Sequence, residues 1–362
     1  MSNEYKGKVV VGMSGGVESS VAAYLLKAAG FEVIGLTLKT WMPETGEESR
    51  CCEIDDARIV ADILGIPYYV ENCTEAFSNE VIKPFMDDYL KGLTPNPCIG
   101  CNRNVKWAGM LRFAKHMGAD YVATGHYAYI DRMPNGRYTV RQALNRGKDQ
   151  TYMLTRLSQE QLKATLMPLG NFSKDEVRKI ATSIGLPVAN KPDSQEICFI
   201  PDGDYAGYIE YNYDGEIPGE GNFVDEDGNV LGKHRGIIHY TVGQRRGLRL
   251  PLGYPAFVKR IDTEKNEVVI SKDDALYRKE VLIRDVNFMG IEGIMPDEKI
   301  RCFAKIRYRH DAQPAIAECT ENNLLKLTFD EPVRAATPGQ TAVFYDEEGR
   351  VLGGGYIYIP AI

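Results

Sequence analysis

A short apolar run that passes directly into a Gly/Ser-rich turn constrains the fold of this chain more than any other feature. Residues 9–11 are all valine and predict a buried strand, the turn spans Gly12–Ser19, and a helical pattern runs from Ser20 to Ala29. Adjacent glycines let the backbone approach a ligand closely, and the amides that open a helix favour an anion. The turn contains no lysine and does not match the common nucleotide-loop or dinucleotide motifs. It therefore predicts a phosphate or pyrophosphate site of another kind.

Strand-like and helical patterns alternate through the first half of the chain. The apolar runs are at 8–11, 32–38, 67–70 and 121–124, and the helical stretches between and after them are at 19–29, 55–64, 74–90 and 104–117. Strands separated by helices predict an α/β fold with a doubly wound parallel sheet. Ligands of such sheets bind beyond the carboxyl ends of the strands, which is where Gly12–Ser19 and Thr124–His126 lie.

The texture of the sequence changes twice beyond that region. Two further helices are predicted at 158–167 and 173–184, and glycine-rich alternating strands follow Pro201, at 223–230, 237–240, 256–261 and 267–270. A second all-β block starts near 281, with strands at 315–318, 324–329 and 341–345. We predict a catalytic domain at 1–205, a small β-rich domain at 206–280 and a C-terminal β-barrel at 281–362.

Composition and charge narrow the class of protein. The chain has 362 residues, a formal net charge of −7 and eight cysteines. No apolar run approaches the length of a membrane span, and residues 1–6 lack the apolar core of a signal peptide, so we expect a cytoplasmic protein without membrane contact and with reduced thiols. Two segments, 232–249 and 299–310, each carry five Lys or Arg residues and no carboxylate, which indicates local affinity for phosphates.

The cysteines offer reactive thiols more readily than a zinc site. Cys98 and Cys101 form a Cys-x-x-Cys pair in a Pro- and Gly-containing loop ahead of a predicted helix, a position that favours the thiolate. A structural zinc site is disfavoured because the chain has no second Cys-x-x-Cys and because Cys51 and Cys52 are adjacent. Cys198 follows a polar run at 191–196 and is either a buried thiol or a reachable one.

Taken together, the motifs resemble those of bacterial tRNA-specific 2-thiouridylases, members of the ATP-pyrophosphatase superfamily. The resemblance spans nearly the whole chain and rests on SGGVES at 14–19, TPNPCIGCN at 94–102, ATGHYA at 123–128, KDQTYML at 148–154, KPDSQEICFIP at 191–201, HRGIIHYTVGQRRGL at 234–248, IRYRH at 306–310 and TPGQTAVFYD at 337–346. It implies ATP-dependent 2-thiolation of the wobble uridine of tRNA. ATP would adenylate the C2 oxygen, and sulfur carried as a cysteine persulfide would replace it.

The resemblance also assigns roles to residues. It implies that Cys198 bears the persulfide, that Cys101 is the nucleophile, and that a Cys101–Cys198 disulfide remains; direct attack by the persulfide is the alternative order. The implied partners are tRNA and a persulfide donor protein, a cysteine desulfurase or a sulfur relay protein, and the implied cofactors are ATP and Mg²⁺. The residues implied to bind ATP are Gly12, Met13, Ser14, Gly15, Gly16, Val17, Glu18, Ser19, Leu38 and Gly125. Those implied to contact the target base or the tRNA are Asn96, Pro97, Cys98, His126, Lys148, Asp149, Gln150, Arg307, Tyr308 and Gln340.

Two positions depart from the family pattern. Glu18 stands where aspartate is usual, which keeps the charge and lengthens its reach by one methylene. Cys98 stands where many members have aspartate. Three candidate thiolates, Cys98, Cys101 and Cys198, could then ligate a [4Fe-4S] cluster that carries the sulfur in place of a persulfide.

Two other classes of function remain open at this point. An ATP-pyrophosphatase ligase or amidase acting on a small metabolite would use the same loop but would leave the thiols and the basic β segments without a purpose. A non-catalytic RNA-binding module would leave the intact loop and both cysteines unexplained. Cys51 and Cys52 have no assigned role.

Overall fold

The computed structural model describes residues 6–41, 53–192, 197–322 and 324–360. Cys51 and Cys52 lie outside the described residues. The chain divides into two compact units, an N-terminal unit of residues 1–82, 97–203 and 348–351, and a C-terminal unit of residues 83–96, 204–347 and 352–362. In the parts of the chain that the structure describes, no helix is long and apolar enough to cross a membrane.

The N-terminal unit is built on a parallel five-stranded sheet. Its strands are β1 (Lys8–Gly12), β2 (Glu32–Lys39), β3 (Tyr68–Asn72), β4 (Tyr121–Ala123) and β7 (Thr165–Leu166), and they lie in the order β3-β2-β1-β4-β7. A separate antiparallel hairpin of β5 (Ala128–Arg132) and β6 (Tyr138–Gln142) follows β4 and has no counterpart in the sequence prediction.

Helices occupy both faces of this sheet, as the sequence predicts. The helices of the unit are α1 (Val17–Ala28), α2 (Ile54–Leu64), α3 (Thr74–Phe77), α5 (Pro97–Cys101), α6 (Ala108–His116), α7 (Thr151–Leu154), α8 (Gln159–Lys163) and α9 (Lys174–Ser183). Val9 and Val11 of β1 are wholly buried in one core cluster with residues of α1, α2 and α9. On the opposite face, a Cβ at Gly12 would lie 2.8 Å from Sδ of Met110 in α6. Strand β1 therefore packs against a helical layer on each side.

Three helical segments differ from the sequence prediction. The helix predicted at 158–167 ends at Lys163, and Thr165–Leu166 forms the edge strand β7. The run from Thr74 to Leu90 consists of α3, a π turn at Ser78–Ile82, and α4 (Lys83–Leu90). The helix predicted at 104–117 begins at Pro97 as α5 and reaches His116 through a π turn at Asn102–Trp107. Both cysteines of the Cys-x-x-Cys pair are therefore helical, whereas the sequence placed them in a loop. Proline at the first helical position costs no hydrogen bond, which explains the earlier start.

The C-terminal unit is largely β structure. After α10 (Tyr205–Asn212), four strands, β8 (Gly221–Val224), β9 (Val230–His234), β10 (Phe257–Asp262) and β11 (Glu267–Ser271), form a sheet of order β10-β11-β8-β9. The strands β12 (Tyr277–Phe288), β13 (Lys299–Lys305), β14 (Gln313–Cys319), β15 (Leu325–Arg334), β16 (Thr341–Tyr345) and β17 (Val351–Tyr358) then form a closed barrel of order β12-β15-β14-β13-β16-β17. The α/β class, the parallel sheet and the terminal barrel are confirmed.

Two predicted strands are wrong. The one predicted at 223–230 is broken by a turn at 225–229, which separates β8 from the antiparallel strand β9. Residues 237–240 form a 3₁₀ turn, Ile237–His239, that follows Gly236 at φ +122°. Ile237 and Ile238 are both 1% exposed, and two consecutive buried apolar residues fit a strand or a buried turn equally well. The glycine at positive φ is the feature that selects the turn.

Candidate active site

The first part of the Gly/Ser-rich turn continues the parallel sheet by one residue, and the backbone then turns away from the sheet. The Met13 amide donates to the Leu36 carbonyl at 2.8 Å, and Thr37 Oγ1 donates to the Met13 carbonyl at 2.7 Å. The next turn of backbone depends on glycine, since Gly15 has φ +78° and a Cβ there would lie 2.6 Å from the Glu53 carbonyl oxygen. Strand pairing therefore fixes where the turn starts, and Gly15 permits its shape.

Serine hydroxyls hold the rest of the loop. Ser19 Oγ accepts from the Ser14 amide at 3.2 Å and donates to the Gly16 carbonyl at 3.1 Å. Ser20 Oγ donates to that same carbonyl at 2.8 Å. Helix α1 begins at Val17 with Gly16 as its N-cap, and no side chain caps its first amides. Uncapped amides at a helix start form an anion site, so the predicted phosphate cradle has the required local geometry.

The loop after β4 lies directly against this cradle. A Cβ at Gly125 would come within 2.6 Å of the Glu18 carbonyl carbon and the Ser19 amide nitrogen. Gly125 is thus required for the close approach of two backbones. Leu38, at the end of β2, lies over Gly109 of α6, where an added Cβ would meet its methyl carbons at 3.3 Å. The carboxyl ends of β1, β2 and β4 converge here as the parallel topology requires.

His126 is held as a neutral imidazole. Its Nδ1 lies 2.8 Å from Thr124 Oγ1, and its ring lies 5.7 Å from that of Trp107. Burial, together with the nearby Lys106 ammonium, lowers the pKa of His126 from 6.5 to about 3. Near neutral pH this side chain can donate or accept a hydrogen bond, but it carries no charge toward an anion.

Two lysines reach the cradle from distant parts of the chain, and the cradle motif at residues 12–19 contains neither of them. The Lys174 ammonium at the start of α9 forms an ion pair with Glu18, whose carboxylate also lies 3.4 Å from the Tyr127 hydroxyl. The Lys191 ammonium lies 3.4 Å from the Gly15 carbonyl oxygen and pairs with the carboxylates of Glu53 and Asp56. Glu18 therefore reaches toward α9 in this structure, and the loop gains cations that its own sequence lacks.

The two candidate catalytic thiols belong to segments that share one anchor. Phe199 is 1% exposed and packs edge-on against Phe77 of α3, with ring centroids 5.6 Å apart. Helix α5 packs on the π turn that continues α3, and Asn104 Nδ2 donates to Glu80 Oε2 of that turn at 3.0 Å. Cys101 is buried, Cys198 is half-buried and Cys98 is exposed. The run from Thr74 to Ile82 therefore supports both the segment of Cys101 and that of Cys198.

The three thiols do not form a ligand set. Across the described residues, no group of three His, Cys, Asp or Glu side chains is placed to hold a metal ion. Cys98, Cys101 and Cys198 therefore do not fit the [4Fe-4S] cluster that their residue types suggested.

The predicted tRNA contact at 148–150 contains two side chains with structural partners. Asp149 is 6% exposed; its Oδ1 accepts from the Ala143 amide at 3.1 Å, and its Oδ2 accepts from Thr151 Oγ1 at 2.7 Å. Gln150 Oε1 accepts from the Tyr127 amide at 2.9 Å. Lys148 ends a 3₁₀ turn, Arg146–Lys148, and is half-buried.

In the C-terminal unit, the predicted contacts lie around one end of the barrel. Arg307 Nη2 donates to the Ala335 carbonyl at 2.9 Å and to Thr337 Oγ1 at 2.6 Å, and Gln340 Nε2 donates to the carbonyl of Thr94 at 2.9 Å. The Lys305 ammonium lies 5.7 Å from the ring centre of Tyr308. Thr94 thereby ties the segment that leads to Asn96 to the barrel residue Gln340.

Known proteins match this chain over nearly its full length. Three family models match, described as a tRNA methyl transferase HUP domain at residues 7–202, a tRNA methyl transferase PRC-barrel domain at 213–272 and an aminomethyltransferase beta-barrel domain at 278–357. The tRNA-specific 2-thiouridylase MnmA of Acetivibrio thermocellus is 53% identical over 361 residues, covering 97% of this chain and 99% of that protein. That of Lachnoclostridium phytofermentans is 51% identical over 357 residues, with the same coverage.

Solved structures show weaker similarity. The U34-tRNA thiolase NcsA from Methanococcus maripaludis, solved with its [4Fe-4S] cluster, is 20% identical and covers 58% of this chain and 68% of its own, with a TM-score of 0.36. A score at that level carries no argument about the site.

Proposed function

The chain belongs to the tRNA-specific 2-thiouridylase family, and from that membership we propose how its residues carry out an ATP-dependent 2-thiolation of tRNA uridine. The enzyme is a tRNA-uridine 2-sulfurtransferase. The single structural observation that carries the proposal is that the ATP-type cradle and both candidate thiol segments belong to one compact unit, with the thiol segments on a common anchor.

ATP activates the uridine in this proposal. The C2 oxygen attacks the α-phosphorus of ATP, the bond to the pyrophosphate breaks, and an adenylated uridine results. Oxygen at C2 is a poor leaving group, whereas AMP is a good one. The residues 12–19, with Leu38 and Gly125, hold the nucleotide, and Mg²⁺ on the phosphates reduces their charge.

Sulfur transfer then uses the two cysteines. A persulfide on Cys198 is attacked at its bridging sulfur by the Cys101 thiolate, so that a Cys101–Cys198 disulfide forms and the terminal sulfur leaves as hydrosulfide. Hydrosulfide adds to C2, AMP leaves, and 2-thiouridine remains. In the alternative order, the terminal sulfur of the persulfide adds to C2 first and Cys101 forms the disulfide afterwards. Either order requires a thiol reductant and a new persulfide from a donor protein for the next turnover.

Recognition of tRNA completes the proposal. A wobble uridine must be turned out of the anticodon loop before its C2 can be reached. Asn96, Pro97, Cys98 and a neutral His126 are assigned to the target base, while Lys148 with Asp149 and Gln150, and in the C-terminal unit Arg307, Tyr308 and Gln340, are assigned to the rest of the tRNA. We also propose domain boundaries near residues 205 and 280 and a cytoplasmic location.

One assay separates this function from the two alternatives. The protein is incubated with ATP, Mg²⁺, a persulfide or sulfide source and unmodified tRNA, and both AMP and 2-thiouridine are measured. We expect tRNA-dependent AMP release together with thiolated wobble uridine. Release of AMP without thiolation would favour a metabolite ligase or amidase, and tRNA binding without AMP release would favour a non-catalytic RNA-binding module.

A further inference from the structure

The cradle's own turn lacks the lysine that many nucleotide loops use to bind terminal phosphates. The tertiary structure brings one there from the last part of the N-terminal unit. Lys191 follows the 3₁₀ turn Pro187–Asn190, and its ammonium lies 3.4 Å from the Gly15 carbonyl oxygen. Gly15 precedes the N-cap of α1 by one residue, so the carbonyl that this cation contacts belongs to the turn that leads into the uncapped helix start.

The same ammonium is shared between the loop and two carboxylates. Glu53, the N-cap of α2, and Asp56 in its first turn both form ion pairs with Lys191. The Lys191 side chain is 23% exposed, and those of Glu53 and Asp56 are 28% and 40% exposed. All three groups are therefore partly solvated, and such pairs exchange partners at small cost.

Lys174, the other lysine near the cradle, has a different situation. Its ammonium pairs with Glu18, and its side chain is only 11% exposed. A largely buried lysine that is paired with a carboxylate is expensive to move, because the separated charges would remain poorly solvated. The Lys191 side chain is more exposed to solvent than that of Lys174, so its ammonium can move to an incoming anion more easily.

We propose that Lys191 binds the pyrophosphate portion of ATP, and that Glu53 and Asp56 compete with these phosphates for its ammonium. The inference rests on the proposed function, because it takes ATP as the ligand of the cradle. A phosphate bound to the first amides of α1 would carry more negative charge than either carboxylate and would lie next to the Gly15 carbonyl. Lys191 would thus provide the cation that the turn lacks.

If the carboxylates compete with ATP for Lys191, removal of the lysine and removal of a carboxylate should change nucleotide binding in opposite directions. Binding of α,β-methylene-ATP and of AMP to the full-length protein is measured by calorimetry. We expect Lys191→Met to weaken binding of the ATP analogue about 10-fold while leaving AMP binding unchanged, and Lys191→Arg to restore part of the loss. Glu53→Gln and Asp56→Asn should each strengthen binding of the analogue, since they release the ammonium.

A matched control comes from the other end of α2. The Lys27 ammonium lies 3.4 Å from the Gly65 carbonyl, so it also ties a separate segment to that helix, but at the end away from the cradle. Lys27→Met should leave binding of both nucleotides unchanged. Thermal unfolding of each variant identifies any that fails to fold, and if Lys191→Met does not fold, the carboxylate variants decide the question.

Two results would overturn the inference. If Lys191→Met binds the analogue like wild type, or if Glu53→Gln and Asp56→Asn weaken it as Lys191→Met does, the ion pairs are structural ties only. If the wild-type protein does not prefer the ATP analogue to AMP, the proposed function fails and the inference fails with it. The wild-type measurement therefore separates the two failures.

Discussion

The loop edge of the N-terminal sheet and the outer surface of the C-terminal barrel each contain a local sequence motif that suggests phosphate binding. The two regions differ in whether the interaction partners of the motif are close in sequence. At the loop edge, the serine hydrogen bonds that shape the cradle join residues at most five positions apart, all between Ser14 and Ser20. On the barrel, the segment 299–310 looks strongly basic because its own twelve positions contain no carboxylate. Its neighbours in the sheet supply them.

Ion pairs with other strands of the barrel neutralise two of the five cations in that segment. Lys299 pairs with Glu318 directly across β13 and β14 at 2.9 Å, and Arg301 Nη1 donates to Asp330 Oδ1 of β15 at 2.7 Å. The carboxylate of Asp330 raises the pKa of Arg301, and Arg301 lowers the pKa of Asp330. The segment 232–249 differs: Arg245, Arg246 and Arg249 are exposed, and in the described residues no ion pair engages them. The charge pattern of a short segment therefore predicts its surface charge only when no carboxylates from other strands pair with its cations.

The largest expected effect concerns the thiols of the N-terminal unit. Cys198→Ser and Cys101→Ser should each reduce persulfide-driven thiolation by at least about 10³-fold, since each removes a sulfur that forms or breaks a bond. Quantification of 2-thiouridine per tRNA checks this. Cys319→Ser on the barrel is the control and should retain activity, because its Sγ hydrogen-bonds to the Ile294 carbonyl, within the barrel domain. Full activity of Cys101→Ser would remove its assigned role.

An intermediate effect should appear at Asp149, where a residue assigned to tRNA has internal partners. Asp149→Ala leaves the Ala143 amide and the Thr151 hydroxyl without this acceptor and should lower the free energy of unfolding by about 1–3 kcal/mol. Lys148→Ala, one residue away, should change it by less than about 0.5 kcal/mol. Urea unfolding gives both values. A variant at 149 that keeps full stability but loses tRNA affinity would instead support a direct contact.

The smallest expected effect separates the two basic segments. Replacing both Arg245 and Arg249 by alanine should weaken tRNA binding. It should also reduce the slope of log Kd against log salt concentration by about two. Arg301→Ala should change neither quantity, because Asp330 already neutralises that guanidinium. Filter binding over a range of KCl concentrations measures both variants against wild type. Equal losses at the two places would show that the ion pairs on the barrel open when RNA binds.

The sequence anticipated much of the fold because its signals there are local. The strand at residues 9–11, the turn and the helix after it follow from an apolar run, two glycines and the helical pattern, although the helix begins at Val17 and not at the predicted Ser20. The capping box of α9, in which Ser173 and Glu176 satisfy each other's backbone amides, is also readable from four residues. The hairpin of β5 and β6 escaped prediction because half of the ten residues in its strands are polar or charged, so neither strand is an apolar run.

Within the candidate site, the sequence proposed residues but not their environments. It predicted that Gly125 contacts ATP, and the structure adds that this glycine is needed for the close approach to the backbone of Glu18 and Ser19. It left open the consequence of glutamate at position 18, and the structure directs that carboxylate to Lys174. No short-range pattern links positions 156 residues apart, so this pair could not have been foreseen.

By itself, then, the sequence determined the parallel sheet, and it predicted a phosphate cradle at the end of β1 and the candidate thiols, because these signals lie within a few consecutive residues. Only the tertiary structure decided which charges meet: Lys191 with the cradle, Glu18 with Lys174, and Arg301 with Asp330. Electrostatic partners are set by strand register and helix packing, which bring together residues that are distant along the chain. Burial then fixes what such groups can do, as it does for His126, whose lowered pKa keeps it neutral.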